Sequence, residues 1–290
     1  MSIATENRAI DQETTTLPFT VHHVASADGT TIGYYQTGYG PGIVAMHGGV
    51  RAAHHYFALA QALAGSYTIY LPDRRGRGLS GPPGNNYSLE KELADLQAVL
   101  QATGASYLFG HSAGGFFALE AALRLSIHKL VLYEPAVSIH GSMALSWFPA
   151  YERAVARNDP ATALVKLFKG LQIGWMSSLP DWVLNPFVHL MLLGQDGKDM
   201  KTLLPTGVWE INEFLMLENL GLTYERYQAI SARSLLLCGS RSPAYLRTAA
   251  RELSKTIPQA KVVELTGLDH NAPDQNAPLV VASELMTFFS

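Results

Sequence analysis

Ser112 stands in GHSAGG at 110–115, with a glycine two residues before it and another two residues after it. The apolar run SYLF leads into this turn and the helical pattern FFALEAALRL follows it. Glycines on both sides permit a turn tight enough to lift a hydroxyl clear of a sheet. The amides that open the next helix suit a developing negative charge. In this strand–turn–helix setting, G-x-S-x-G carries a nucleophile. A glycine-rich turn that merely contains a serine is the plainer alternative, and the context argues against it. Upstream, His47-Gly48-Gly49 ends another apolar run. A glycine pair there lets backbone approach a substrate, so the amides of Gly49 and Ala113 are candidates for an oxyanion hole. His47 itself reads as a structural loop residue. Among ten histidines, His270 in GLDHNAP at 267–273 is the candidate base, because it lies in a loop at the carboxyl end of the last strand. The adjacent pairs His22–His23 and His54–His55 do not suggest a metal site, since neighbours on a strand or helix face different ways.

The elements that must position these groups alternate along the chain. FTVHHVAS and TIGYYQTG, joined through Asp28-Gly29, read as an antiparallel pair. GIVAMHGG, YTIYLPD, SYLFGHS, HKLVLYEP, SLLLCGS and KVVELTG read as six further strands. Helical patterns lie between them at 53–64, 88–103, 113–124 and 243–257, and a last one at 277–289. Single helices between strands require right-handed crossovers, hence an α/β fold with a doubly wound, mostly parallel sheet of eight strands. The apolar content of the strands is continuous, as burial on both faces demands. The rhythm breaks over 138–221, which has helical spacing and no convincing strand and reads as a helical cap inserted after the sixth strand. The core is then 17–137 with 222–290, preceded by a loose polar tail at 1–16.

Composition narrows the function. The 290 residues are 48% hydrophobic and 16% charged, ample for a packed core, and the net charge of −3 without a basic run argues against nucleic acid. One cysteine, Cys238, excludes an intramolecular disulfide and reads as a core residue. The first residues carry no apolar stretch behind a basic start, and no run of about eighteen apolar residues occurs, so neither a secretory leader nor a membrane span is expected and the cytoplasm is the expected setting.

HGG at 47–49, DRRGRGLS at 73–80, GHSAGG at 110–115 and DHNAP at 269–273 resemble, in order and spacing, the α/β-hydrolase superfamily. The likeness covers the chain from about residue 17 onward. It implies hydrolysis through an acyl-enzyme, with no metal or organic cofactor. Within DRRGRGLS, Asp73, Arg75 and Gly76 read as turn-forming, and a phosphate-binding reading ranks second. The sequence departs from the family pattern at one point. The usual acid follows the seventh strand, where GSRSPAY offers Ser240 and Ser242 but no carboxylate. Three carboxylates remain. Asp269 adjoins His270, so its side chain should diverge from the imidazole. Asp274 is placed to N-cap the last helix. Glu134 ends the sixth strand, about 5 Å from the elbow strand, and needs a polar partner for its buried charge. A glutamate at this point also occurs in zearalenone-type lactonases of the superfamily. Ser112, His270 and Glu134 are therefore the expected triad.

The inserted segment holds all four tryptophans, Trp147, Trp175, Trp182 and Trp209, and no basic cluster. Some must form its own core, but an insertion over the elbow also roofs a pocket, for which Trp182 and Trp209 are the candidates. The expected substrate is a small, neutral, hydrophobic ester or lactone, such as an aromatic macrolactone. An amidase or carbon–carbon hydrolase of the same fold, and a ligand receptor with a slow hydrolase site, are the alternatives.

Overall fold

A computed structural model describes residues 16–172 and 175–290 of the chain, so the expected tail lies, but for its last residue, outside the described residues. The strands are β1 (Thr20–Ala25), β2 (Thr31–Gly38), β3 (Gly42–Met46), β4 (Thr68–Pro72), β5 (Tyr107–His111), β6 (Lys129–Tyr133), β7 (Arg233–Gly239) and β8 (Ala260–Leu265). They form one sheet in the order β1-β2-β4-β3-β5-β6-β7-β8. The pairings β1–β2 and β2–β4 are antiparallel and every other pairing is parallel.

The continuous apolar runs are explained by the period of two along a strand. Val44, Met46, Leu108, Leu130, Leu132 and Leu236 enter one core. Ile43, Ala45, Phe109, Val131, Leu235 and Leu237 enter the other. Helices α1 (Phe57–Leu63) and α9 (Pro278–Phe289) cover the second face; α2 (Leu89–Thr103), α3 (Ala113–Ala122) and α8 (Ala244–Thr256) cover the first. Cys238 lies fully buried in the first core.

Between β6 and β7 the chain forms α4 (Phe148–Ala156), α5 (Pro160–Leu171), α6 (Asp181–Met191) and α7 (Gln195–Asn219). Their apolar stripes meet in a third core of Tyr151, Leu164, Leu184, Val188 and Leu204. Val50 and Ala52, from the loop after β3, join it. The insertion is thereby seated on the glycine loop.

Two details depart from expectation. Asp274 does not cap α9, whose N-cap is Ala277; it sits in a short π-turn at Ala272–Asn276 and pairs with Arg51 at 2.5 Å. A buried carboxylate gains more from that guanidinium than from a helix end. His54 and His55 do not diverge either, because a 3-10 turn at Ala53–Tyr56 brings their rings to 4.1 Å.

Candidate active site

Register builds the site. His111 is paired with Tyr133 across β5 and β6, and Tyr133 with Leu237 across β6 and β7. Ser112 and Glu134 are each the next residue, so both leave the sheet at one level. Both also turn sharply there, with φ of 53° at Ser112 and 46° at Glu134. Non-glycine residues enter this region at a cost, and the surroundings hold them in it. The Ser112 amide donates to the Tyr133 carbonyl at 3.0 Å, and its own carbonyl accepts from Phe116 and Ala136, each at 3.0 Å. Gly114 must lack a side chain, since a β-carbon would stand 2.4 Å from the His47 carbonyl oxygen.

Glu134 is fully buried. Its Oε2 lies 2.7 Å from His270 Nδ1, and its Oε1 accepts the Gly239 amide at 2.7 Å. The loop after β7 thus supplies a backbone donor where the usual pattern has an acid. The rest of that loop braces the histidine loop: Ser240 Oγ accepts from Gly267 N at 2.8 Å, and Arg241 N donates to Leu268 O at 2.9 Å. Asp269 turns away, its Oδ1 taking the amide of Asn271 and the side chain of Asn276. With Nδ1–H directed at a carboxylate, Nε2 of His270 keeps its lone pair for a proton.

A second chain of hydrogen bonds locks the same groups from behind. Gly48 N donates to the Tyr56 hydroxyl at 2.9 Å, and that hydroxyl lies 2.5 Å from His111 Nδ1. His111 Nε2 lies 2.9 Å from the His270 carbonyl. A carbonyl only accepts, so Nε2 carries the hydrogen and Nδ1 accepts from the tyrosine. Burial, with the charges of His270 and Arg51 adding to it, pushes the His111 pKa well below the usual histidine range. Burial likewise pushes His47 well down, helped by Arg77 and Arg74, while its Nε2 accepts the Arg74 amide at 3.1 Å. The Gly48 backbone and the His270 backbone are thus tied to the elbow through neutral imidazole. Tyr56 and His111 were not singled out by sequence; His111 stands inside the motif, but its partner is 55 residues away.

Ser112, Ala113, Gly48, Gly49 and His270 all line one cavity of about 150 Å³. A β-carbon on Gly49 would lie 3.5 Å from that of Ala113, so the two candidate amides belong to residues that lie side by side. The walls are apolar, with Phe116 from α3 and Leu167, Phe168, Ile211 and Phe214 from the insertion; Arg51 and Glu210 add charge. The tryptophans expected to roof this cavity do not. Trp182 is 78% exposed on α6, and neither it nor Trp209 is in the cavity wall. Trp209 instead packs on Gly76 and Tyr87, with its ring 5.7 Å from that of Tyr87. Trp147 rests on Gly170 within the insertion.

The arginines of DRRGRGLS are interior groups. Arg74 reaches Glu92 at 2.9 Å and Glu210 at 2.6 Å, and Arg77 also binds Glu210. Arg75 pairs with Asp95 at 2.6 Å and Asp28 at 3.0 Å. Asp73 closes the turn, taking the amides of Ala53 and Leu79. With acidic partners already engaging all three arginines, the segment has the character of a buried ion network, and the phosphate-binding alternative does not fit it.

The model of the alpha/beta hydrolase family matches residues 43–284. The chain belongs to this family. It is 26% identical over 234 residues to a pimeloyl-[acyl-carrier protein] methyl ester esterase of Xylella fastidiosa, covering 79% of this chain and 73% of that protein. It is 32% identical over 126 residues to a cis-3-alkyl-4-alkyloxetan-2-one decarboxylase of Shewanella oneidensis, a match spanning 41% of this chain and only 39% of that relative. An alpha/beta hydrolase from Sphaerobacter thermophilus superimposes with a TM-score of 0.77 at 29% identity, covering 93% of this chain and all of that one (100%). Among the described residues, no helix of this family member is long and apolar enough to cross a membrane.

Proposed function

We propose that the protein is a serine hydrolase that cleaves a neutral, hydrophobic carboxylic ester or lactone through an acyl-enzyme. The reading is carried by the 2.7 Å contact between His270 and Glu134 at the wall of an apolar cavity that also holds Ser112 on its strained turn. Ser112 Oγ attacks the carbonyl carbon and its proton passes to His270 Nε2. Glu134 keeps the imidazole oriented and offsets the imidazolium charge. The amides of Gly49 and Ala113 receive the oxyanion, and the N-terminus of α3 adds to their field. His270 then protonates the departing alkoxide, and water releases the acyl group by the reverse sequence. Helices α4–α7 act as the cap that keeps bulk water out and gives the acyl group its apolar walls.

Fluorophosphonate labelling of the wild type and of Ser112→Ala tests the assignment, together with turnover of p-nitrophenyl esters beyond one equivalent. Labelling confined to the wild type, with sustained turnover, is the expected result. Unimpaired labelling of the alanine variant would remove Ser112 from its role. A single turnover followed by arrest would favour a ligand receptor that keeps a slow site.

A further inference from the structure

Glu210, from the middle of α7, is 6% exposed, and one of its carboxylate oxygens is spoken for: Oε1 binds Arg74 and Arg77. Glu210 lines the cavity, and its other oxygen is the one nearest Gly49. A β-carbon on Gly49 would stand only 2.7 Å from Oε2, so this oxygen lies one residue's width from the candidate oxyanion amide. Of the cavity wall, Val50, Ala113, Ile211 and Phe214 have no side-chain polar atom to offer it, and Arg51 is paired with Asp274. An anionic acceptor beside a developing oxyanion would oppose catalysis unless its charge were balanced. The two arginines supply that balance and leave Oε2 with a directed lone pair.

We propose that Glu210 selects acyl groups bearing a hydroxyl next to the scissile carbonyl, Oε2 accepting the hydroxyl hydrogen while the carbonyl oxygen sits at Gly49 and Ala113. This rests on the reading that Ser112 attacks esters in this cavity. It narrows the hydrophobic substrate to one with a single polar mark on its acyl side. Gly49 gains a second reason to be glycine, since any side chain would occupy the place of the hydroxyl. A substrate without a donor would leave a buried carboxylate oxygen unpaired, which is the penalty on which discrimination of this kind rests.

The test compares methyl mandelate, in both enantiomers, with methyl phenylacetate and methyl O-methylmandelate, each rate being divided by the ester's rate of alkaline hydrolysis. In the wild type, one mandelate enantiomer should exceed both analogues in kcat/KM by about tenfold or more. Glu210→Gln should erase that advantage, read within the variant as the ratio of mandelate to phenylacetate kcat/KM falling to the ratio of their alkaline rates. If the variant fails to fold, because Arg74 and Arg77 lose their counter-charge, the wild-type ratios decide alone. Esters consumed in proportion to their alkaline rates would overturn the selection by Glu210 and leave the serine hydrolase reading standing. Phosphonylation of Ser112 with none of the esters consumed would also overturn it. Loss of both phosphonylation and turnover would strike the underlying reading as well, and the selection with it.

Discussion

A fully buried carboxylate is costly unless its oxygens have donors, and Glu134 has one for each: the Gly239 amide and His270 Nδ1. Glu134→Gln keeps the shape but puts an amide where the carboxylate must face Nδ1–H, which favours the wrong imidazole tautomer. We expect kcat to fall by about 10³–10⁴, with KM little changed. Asp269→Asn should leave kcat within about threefold, since that side chain serves Asn271 and Asn276. Steady-state kinetics of the two variants side by side check this; a crippled Asp269→Asn with a mild Glu134→Gln would reverse the roles. The need of Glu134 for a partner was legible in the sequence, because a charged residue before Pro135, at the end of a buried strand, asks for one, and the structure gives it His270. The Tyr56–His111 brace was not, since it depends on a hydroxyl and an imidazole that only the folded loops bring together.

At the scale of elements, the eight strands and the five helices around the sheet followed from periodicity, because their apolar faces pack in the two cores on either side of one sheet. The insertion did not yield as much. Its helices pack chiefly on one another, so the size of a side chain does not reveal which way it points, and Trp182 ended at the surface. The cavity walls come instead from Phe168 on α5 and Phe214 on α7. Phe168→Ala should raise KM for aryl and octanoyl esters several times more than for acetates, whereas Trp182→Ala should change neither. Equal shifts for both ester classes in the Phe168 variant would show that it does not touch the acyl group. The link between α7 and the sheet is ionic as well as apolar. Arg74→Ala would leave the buried Glu92 without its cation and Glu210 with Arg77 alone, at a cost of about 3–5 kcal/mol, read from urea unfolding. An unchanged midpoint would mean that the carboxylates had found other partners.

For the molecule as a whole, the buried neutral histidines set an acid limit. In the unfolded chain a histidine binds a proton near pH 6.5. His47 and His111 stay neutral in the fold to well below that value. Between about pH 6.5 and their depressed native values, the unfolded state therefore binds more protons, and stability falls as pH falls, by up to about 1.4 kcal/mol per pH unit for each. Urea midpoints taken at about pH 7.5, 6 and 5 should decline in that order; coincident midpoints would show that both rings are charged in the fold. The insertion also divides the site along the chain. Ser112 and Glu134 precede it, whereas Gly239 and His270 follow it, and all four meet at one end of the sheet. Asn158 and Asp159 form an exposed turn between α4 and α5, a suitable place to sever the backbone. On the proposed chemistry, the leading fragment would hold nucleophile and acid and the trailing one the base, so neither could turn over ester alone. Fused to two proteins that meet, the halves would make ester cleavage a signal of their encounter.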